Sequence, residues 1–169
     1  FDNIQNIDVI ERYPGTPSTD FWGISFAFSN LDQQDLSGEE LERELMLMRA
    51  CWAFFDGVRG RVSAEMQKGA RGGGRDRDRI VRHTFAAEQD WATKVGVLTS
   101  NEAMLTDEGL SAHREAYCQA IRDYHAQGIL PGNRAKWPLR YLIRHTAFHT
   151  LDHAWEMEDK DLTHQGETL

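Results

Sequence analysis

The chain has 169 residues, 40% of them hydrophobic, and 27 acidic against 19 basic side chains give it a formal charge of −8; one compact unit of that size can bury a substantial core. The acidity, with a pI near 5.3, excludes the basic stripe that general nucleic-acid binding requires. No apolar run approaches the roughly 18 residues of a membrane span, and no secretory leader pattern stands at the start, so no membrane segment is expected.

Cys51 and Cys118 sit among apolar residues and are too few for a disulfide framework, which suits a reducing cytoplasm. The start at Phe1 rather than Met suggests a piece of a longer product. Residues 1–35 read as an N-terminal extension. There Ile4, Val9, Ile10, Tyr13, Phe21, Trp22, Phe26 and Phe28 are interrupted by Tyr13-Pro14-Gly15-Thr16-Pro17-Ser18, a turn-rich stretch that breaks helix and predicts short strands or irregular extended segments. Its aromatics need covering, by the rest of the chain or by a second subunit in a homodimer.

Ser37-Gly38-Glu39-Glu40 fits a capping box and predicts the start of a long helix. Leu41, Leu45, Met48, Cys51, Trp52, Phe55, Val58 and Val62 then recur at three and four residues as a core-facing stripe, with Gly57 and Gly60 weakening its end. Residues 68–79 combine consecutive glycines with several cations, but the spacing is not that of a Walker A loop. Two readings stay open for them: a flexible linker with Asp76 or Asp78 capping the next helix, which is favoured, or an anion site on backbone amides. A second helix is predicted where Ile80, Phe85, Ala87 and Trp91 form an apolar stripe, with His83 near its N-terminal end.

A third helix is predicted from near Thr106, whose side chain can cap it, through Tyr117, Cys118, Ile121 and Tyr124 to Gly128. Its polar residues place His113 and His125 on a solvated face. Pro131-Gly132-Asn133 and Lys136-Trp137-Pro138 bracket a loop, and from Pro138 to about Lys160 no glycine or proline interrupts a fourth helix. Residues 164–169, with His164, are a polar tail. The prediction is therefore all-α: a four-helix bundle over residues 36–163, with sites built from side chains on facing helices.

The fourth helix carries the chemistry, in Arg144-His145-Thr146-Ala147-Phe148-His149-Thr150-Leu151-Asp152-His153. His149 and His153 lie about one turn apart, roughly 6 Å along the axis, so their nitrogens can share one ion. Imidazole suits an intermediate divalent metal, and a catalytic site usually takes three protein ligands and leaves one position open. The three histidines together span roughly 80° of the helix surface, so a single ion cannot easily use all three; His145 reads more readily as a supporting or interhelical hydrogen-bonding residue than as a ligand. His83 stands out among the remaining histidines, although a lone histidine on a helix is by itself more often a satisfied core or surface residue.

Other chemistries fit less well. No Glu precedes a His by three residues, as paired-iron bundles need, and Thr150 stands where the zincin motif has its general-base Glu. No nucleophile motif marks a Ser-His-Asp enzyme. Asp152, Glu156 and Glu88 read either as carboxylates that orient imidazoles or as plain solvated charge.

A helix carrying His83 followed by Ala86-Ala87-Glu88-Gln89-Asp90-Trp91, and a later helix with His145, His149 and His153 at four-residue spacing, resembles the DinB-like superfamily of metal-binding four-helix bundles over roughly residues 38 to 160. The resemblance implies one divalent ion on His83, His149 and His153, zinc or nickel foremost, with iron or manganese next. It also implies a transferase or isomerase that uses a low-molecular-weight thiol, such as bacillithiol, mycothiol or glutathione, against an electrophilic small molecule. Many members follow the last His with Arg-Gly-Gln, whereas Ala154-Trp155-Glu156 stands here. A non-enzymatic metal-dependent binding or stress-response module and a metal-assisted hydrolase are the alternative expectations.

Overall fold

The computed structural model describes residues 8–12, 14, 17, 28–127 and 137–163. They form α1 (Gly38–Arg61), α2 (Arg77–Ala92), a 3-10 turn at Thr93–Val95, a short α3 (Asn101–Met104), α4 (Asp107–Gln127) and α5 (Leu139–Asp159). Among the described residues the only β pairing is an isolated bridge between Met66 and Asp161, so the class is all-α. No helix among them is long and apolar enough to cross a membrane.

The described part of the N-terminal extension contains no strand, contrary to one expectation. Instead residues 30–33 make a turn, closed where the Asp32 carboxylate accepts from Ser29 N at 3.0 Å and Ser29 Oγ at 2.7 Å. The local side-chain bonds compete here with strand pairing. Ile4, Tyr13, Phe21, Trp22, Phe26, Gly128, Pro131-Gly132-Asn133 and the tail with His164 lie outside the described residues.

The capping box at α1 is present: Glu40 N donates to Ser37 Oγ at 3.2 Å, and Ser37 N donates to Glu40 Oε2 at 2.9 Å. Leu41, Leu45, Met48, Trp52, Phe55 and Val58 form its buried face, while Cys51 is half-buried. The helix continues through both glycines to Arg61. Burial of Phe55 and Val58 between them outweighs a helix penalty of about 1 kcal/mol per glycine.

Residues 63–76 are more ordered than a flexible linker. Gln67 N donates to Lys160 O, Gly69 N to Gly73 O and Gly72 N to Gly69 O, each at 2.8 Å, which pins the glycine turn to the end of α5. Asp76 occupies the N-cap position of α2 without a side-chain cap bond, because Lys68 Nζ and Met66 N take its carboxylate. Thr106 does cap α4, accepting from Gly109 N at 3.1 Å. Ahead of it, Ser100 caps the unforeseen α3 through Ala103 N at 3.2 Å. A Cβ on Gly109 would collide with the Ala103 carbonyl, so glycine is what lets α3 seat against the start of α4.

Helix α5 packs most extensively on α1 and also on α2. The core has one cluster around Leu45, Met48, Trp52, Tyr117, Ile121 and Leu142, and another around Phe55, Val58, Ile80, Phe85, Leu110 and Met157. Polar groups join these clusters. His113 is only 2% exposed, correcting the solvated face expected for it; its Nδ1 shares a 2.8 Å hydrogen bond with Thr99 Oγ1. His125 is half-buried, its Nε2 2.7 Å from Leu36 O.

Glu88, 1% exposed, neither orients His83 nor faces solvent. It accepts from Arg114 Nε at 2.9 Å and Nη2 at 3.2 Å, while Arg114 Nη1 reaches Asp56 at 2.7 Å. Burial pushes the Glu88 carboxyl up against the pull of Arg114. His113 reads as solvated from the sequence because Thr99 and Glu88, which it meets, both lie outside α4.

Removing one side of a buried pair leaves the other uncompensated, so Arg114→Met is expected to cost about 3–5 kcal/mol in urea denaturation. The double variant Glu88→Leu/Arg114→Met should recover on the order of half of that loss, since Asp56 keeps Arg59 at 2.9 Å.

Burial, seconded by the Arg114 charge, also holds His113 down to about 4 against an ordinary 6.5. The folded state thus keeps it neutral while the unfolded chain takes up a proton, and stability contributed above pH 6.5 is lost as pH falls toward 4. Urea midpoints at pH 7 and 4.5 should therefore differ less for His113→Gln than for the wild type.

Candidate metal centre

Two helices build the cluster. Ile80, Thr84 and Phe85 bury one face of α2, and Thr84 Oγ1 donates to Ile80 O at 3.0 Å; that anchoring leaves His83 on the flank facing α5. On α5, Thr146, Thr150, His153, Ala154 and Met157 are buried. The threonines return their hydroxyls to Leu142 O and Thr146 O at 2.8 and 2.9 Å, so neither leaves an unpaired polar group beneath the site.

One ring nitrogen from each of His83, His149 and His153 lies within 4.8 Å of the other two. His149 Nε2 and His153 Nε2 are 3.1 Å apart. Two nitrogens bound to one ion at about 2.0–2.1 Å stand roughly 3.0–3.4 Å from each other, so this pair already has ligand separation. The His83 ring centroid sits 5.3 Å from that of His149 and 4.9 Å from that of His153. His153 is buried, His149 half-buried and His83 exposed, which opens the cluster to solvent on the α2 side.

Tautomers follow from the hydrogen bonds. His153 Nδ1 donates to Glu156 Oε2 at 2.7 Å, so its Nε2 carries a lone pair toward the cluster. Two lone pairs facing each other repel; the His149–His153 contact is satisfied either by one shared N–H or by a cation between them. His149 Nδ1 is buried without a hydrogen-bond partner among the described residues. Glu156 also accepts from Arg75 Nη2 and Lys160 Nζ, both at 2.6 Å. Burial alone would raise its carboxyl, but the bonds from Lys160 and His153 and the field of Arg75 hold it at about 2.

All three imidazoles are pushed toward the neutral form. Burial lowers His149 most, with the His153, His83 and His145 rings adding to it, down to about 3. Burial likewise lowers His153 against the opposing Glu156 bond, and lowers His83 with help from His153 and Arg75. Neutral imidazole is the form that ligates a metal. The donor set and its protonation therefore fit a borderline divalent cation.

His145 stays outside the cluster, but not by the hydrogen bonding expected of it. Its ring stacks on Tyr141 at 5.0 Å and 15°, and packs on Trp91 at 4.7 Å and Trp137 at 5.2 Å. Trp91 in turn contacts the His149 ring at 4.9 Å, so an aromatic wall backs the cluster. The four-residue steps from Trp137 through Tyr141 and His145 to His149 carried that signal. Arg75 had none beyond its place in a cationic loop. Asp152 is exposed, as its solvated reading expects. Cys51 and Cys118 belong to α1 and α4, and burial raises both thiols.

Comparison of the chain with protein-family models, curated proteins and solved structures finds no match.

In metal-free protein the His149 imidazole is expected to stay neutral well below pH 5, whereas an exposed histidine titrates near 6.5. Side-chain ¹⁵N shifts followed from pH 7.5 to 4 check this; a His149 midpoint above 6 would contradict the burial that the fold imposes on it.

Proposed function

We propose that His83, His149 and His153 hold one divalent transition metal ion, zinc or nickel foremost and iron or manganese next, in a DinB-like four-helix bundle acting as a thiol-dependent transferase. The observation that carries the metal assignment is the 3.1 Å separation of the His149 and His153 Nε2 atoms, with a His83 nitrogen within 4.8 Å. Among the described residues, four helices of sixteen residues or more, with the proposed ligands on the second and the last of them, support the bundle. A divalent ion with an open position favours the thiolate form of a small thiol and so supplies a nucleophile at neutral pH.

The chain's own residues contribute orientation and shape. Glu156 fixes the His153 tautomer, and Trp91, packed edge-on at 4.9 Å, covers one side of the His149 ring. A second small molecule would be offered an open groove of about 520 Å³ between residues 8–11 and α5, floored by Tyr141, His145 and Phe148 and lined by none of the three metal-binding histidines. Asp8, Glu11 and Asp32 outnumber Arg144 in its lining, so a neutral or cationic electrophile suits it better than an anion. A cytoplasmic setting, with its pool of reduced thiols, goes with this reading.

Elemental analysis should give one metal per chain for the wild type and His145→Ala, and none for His149→Ala or His153→Ala. Uptake by the wild type should weaken between pH 7.5 and 5, because proton and metal compete for imidazole. With Co²⁺ bound, a small thiol should add a near-ultraviolet charge-transfer band, and turnover of an electrophile should need both thiol and metal. Cys51→Ser and Cys118→Ser should leave that band unchanged. A metal spectrum indifferent to every small thiol would remove the transferase and leave a metal-dependent binding module; full metal content in His149→Ala would remove the ligand set.

A further inference from the structure

By its sequence the glycine-rich, cationic loop before α2 suits either a linker or an anion site. The structure shows an anion there, but it is the protein's own. Arg75 Nη2 lies 2.6 Å from Glu156 Oε2, the same oxygen that accepts from His153 Nδ1 at 2.7 Å. The other oxygen takes Lys160 at 2.6 Å. Lys160 comes with the helix, four residues on, whereas Arg75 is 81 residues away in sequence.

What delivers Arg75 is the loop's own geometry. Ser63 N donates to Asp161 Oδ1 at 2.8 Å and Gln67 N to Lys160 O at 2.8 Å, fastening the loop to the end of α5. Gly74, immediately before Arg75, has φ 137°, a conformation that strains any residue bearing a Cβ. The side chains of Arg75 and Glu156 are 30% and 16% exposed, so solvent screens the contact only partly.

A carboxylate bonded to the far nitrogen of a ligating imidazole raises its basicity and fixes its orientation. Two cations on that carboxylate withdraw the same electron density, and a guanidinium close to the cluster also repels a divalent ion. We propose that Arg75 is a positioning and charge-tuning residue for the metal centre, acting through Glu156 on His153 to keep the ion less tightly held and more electron-poor than the histidines alone would. The proposal rests on the metal reading above and assigns the glycine turn a role in it.

Competition titrations with Zn²⁺ test the proposal in the full chain, with circular dichroism to confirm folding. Glu156→Gln should lower affinity by about 10–100-fold, the usual effect of losing such a partner. Arg75→Gln should move the opposite way, raising affinity on the order of tenfold, the effect of removing one unit charge near a divalent ion in a partly solvated site. Arg75→Lys should stay near wild type, and Gly74→Ala should shift in the same direction as Arg75→Gln. A merely structural Arg75 would lower affinity in every variant. Unchanged or weaker binding in a folded Arg75→Gln, while the wild type binds Zn²⁺, overturns the tuning role; a wild type that takes up no metal overturns the metal reading itself.

Discussion

The candidate site depends on one packing relationship, the register between α2 and α5. Ile80 and Phe85 from α2 and Ala154 and Met157 from α5 share a buried cluster with Phe55 and Val58 of α1. These residues flank the histidines on both helices. A slip of one residue in either helix rotates its side chains by about 100° and would carry His83 or His153 out of the cluster. The apolar core thus does geometric work for a polar site, and its close packing allows few intermediate positions.

Buried charge reinforces the arrangement without itself being a strong source of stability. The Glu88, Arg114 and Asp56 network ties α2, α4 and α1 together, and Arg140 reaches Glu44 across α5 and α1 at 2.8 Å. Desolvation offsets much of the Coulomb attraction in such pairs, so their net contribution is small. Each pair is directional, however, and mispaired registers would strand a charge in the core. In this chain that amounts to selection of one register, since the helices bearing the histidines also bear Glu88 and Arg140.

Much of the helical pattern was legible because it is local. The Ser37–Glu40 box, the Thr106 cap and the apolar stripe of α1 all depend on neighbours within four residues, and each is found where the sequence predicts it. The proximity of His149 and His153 was legible for the same reason; that of His83 came through resemblance rather than spacing. What sequence could not show was pairing across helices. His113 and Glu88 looked like surface residues because their partners lie 14 and 26 positions away. His145 looked like a hydrogen-bonding group because Trp91, packed on its ring, comes from another helix, although Tyr141, stacked on it, stands four residues earlier in its own. The loop at 68–79 looked flexible because its fastenings are at the opposite end of the chain.

Proton and metal place different demands on the three histidines, and the fold separates them. Burial penalises a protonated imidazole at both His149 and His153, reinforced by the neighbouring rings at the first and by Arg75 at the second, so their lone pairs remain available at neutral pH. A divalent ion is also charged, but it is bonded by several nitrogens at once, while a proton is bonded by one or shared between two. Clustering therefore favours the metal even where burial disfavours the proton. Arg75 and Lys160 hold Glu156 as a carboxylate, which lets it accept the His153 Nδ1 hydrogen bond without taking the proton. For the ion proposed above, selectivity over protons would then follow from where the fold places three neutral imidazoles, which need not be unusual ligands in themselves.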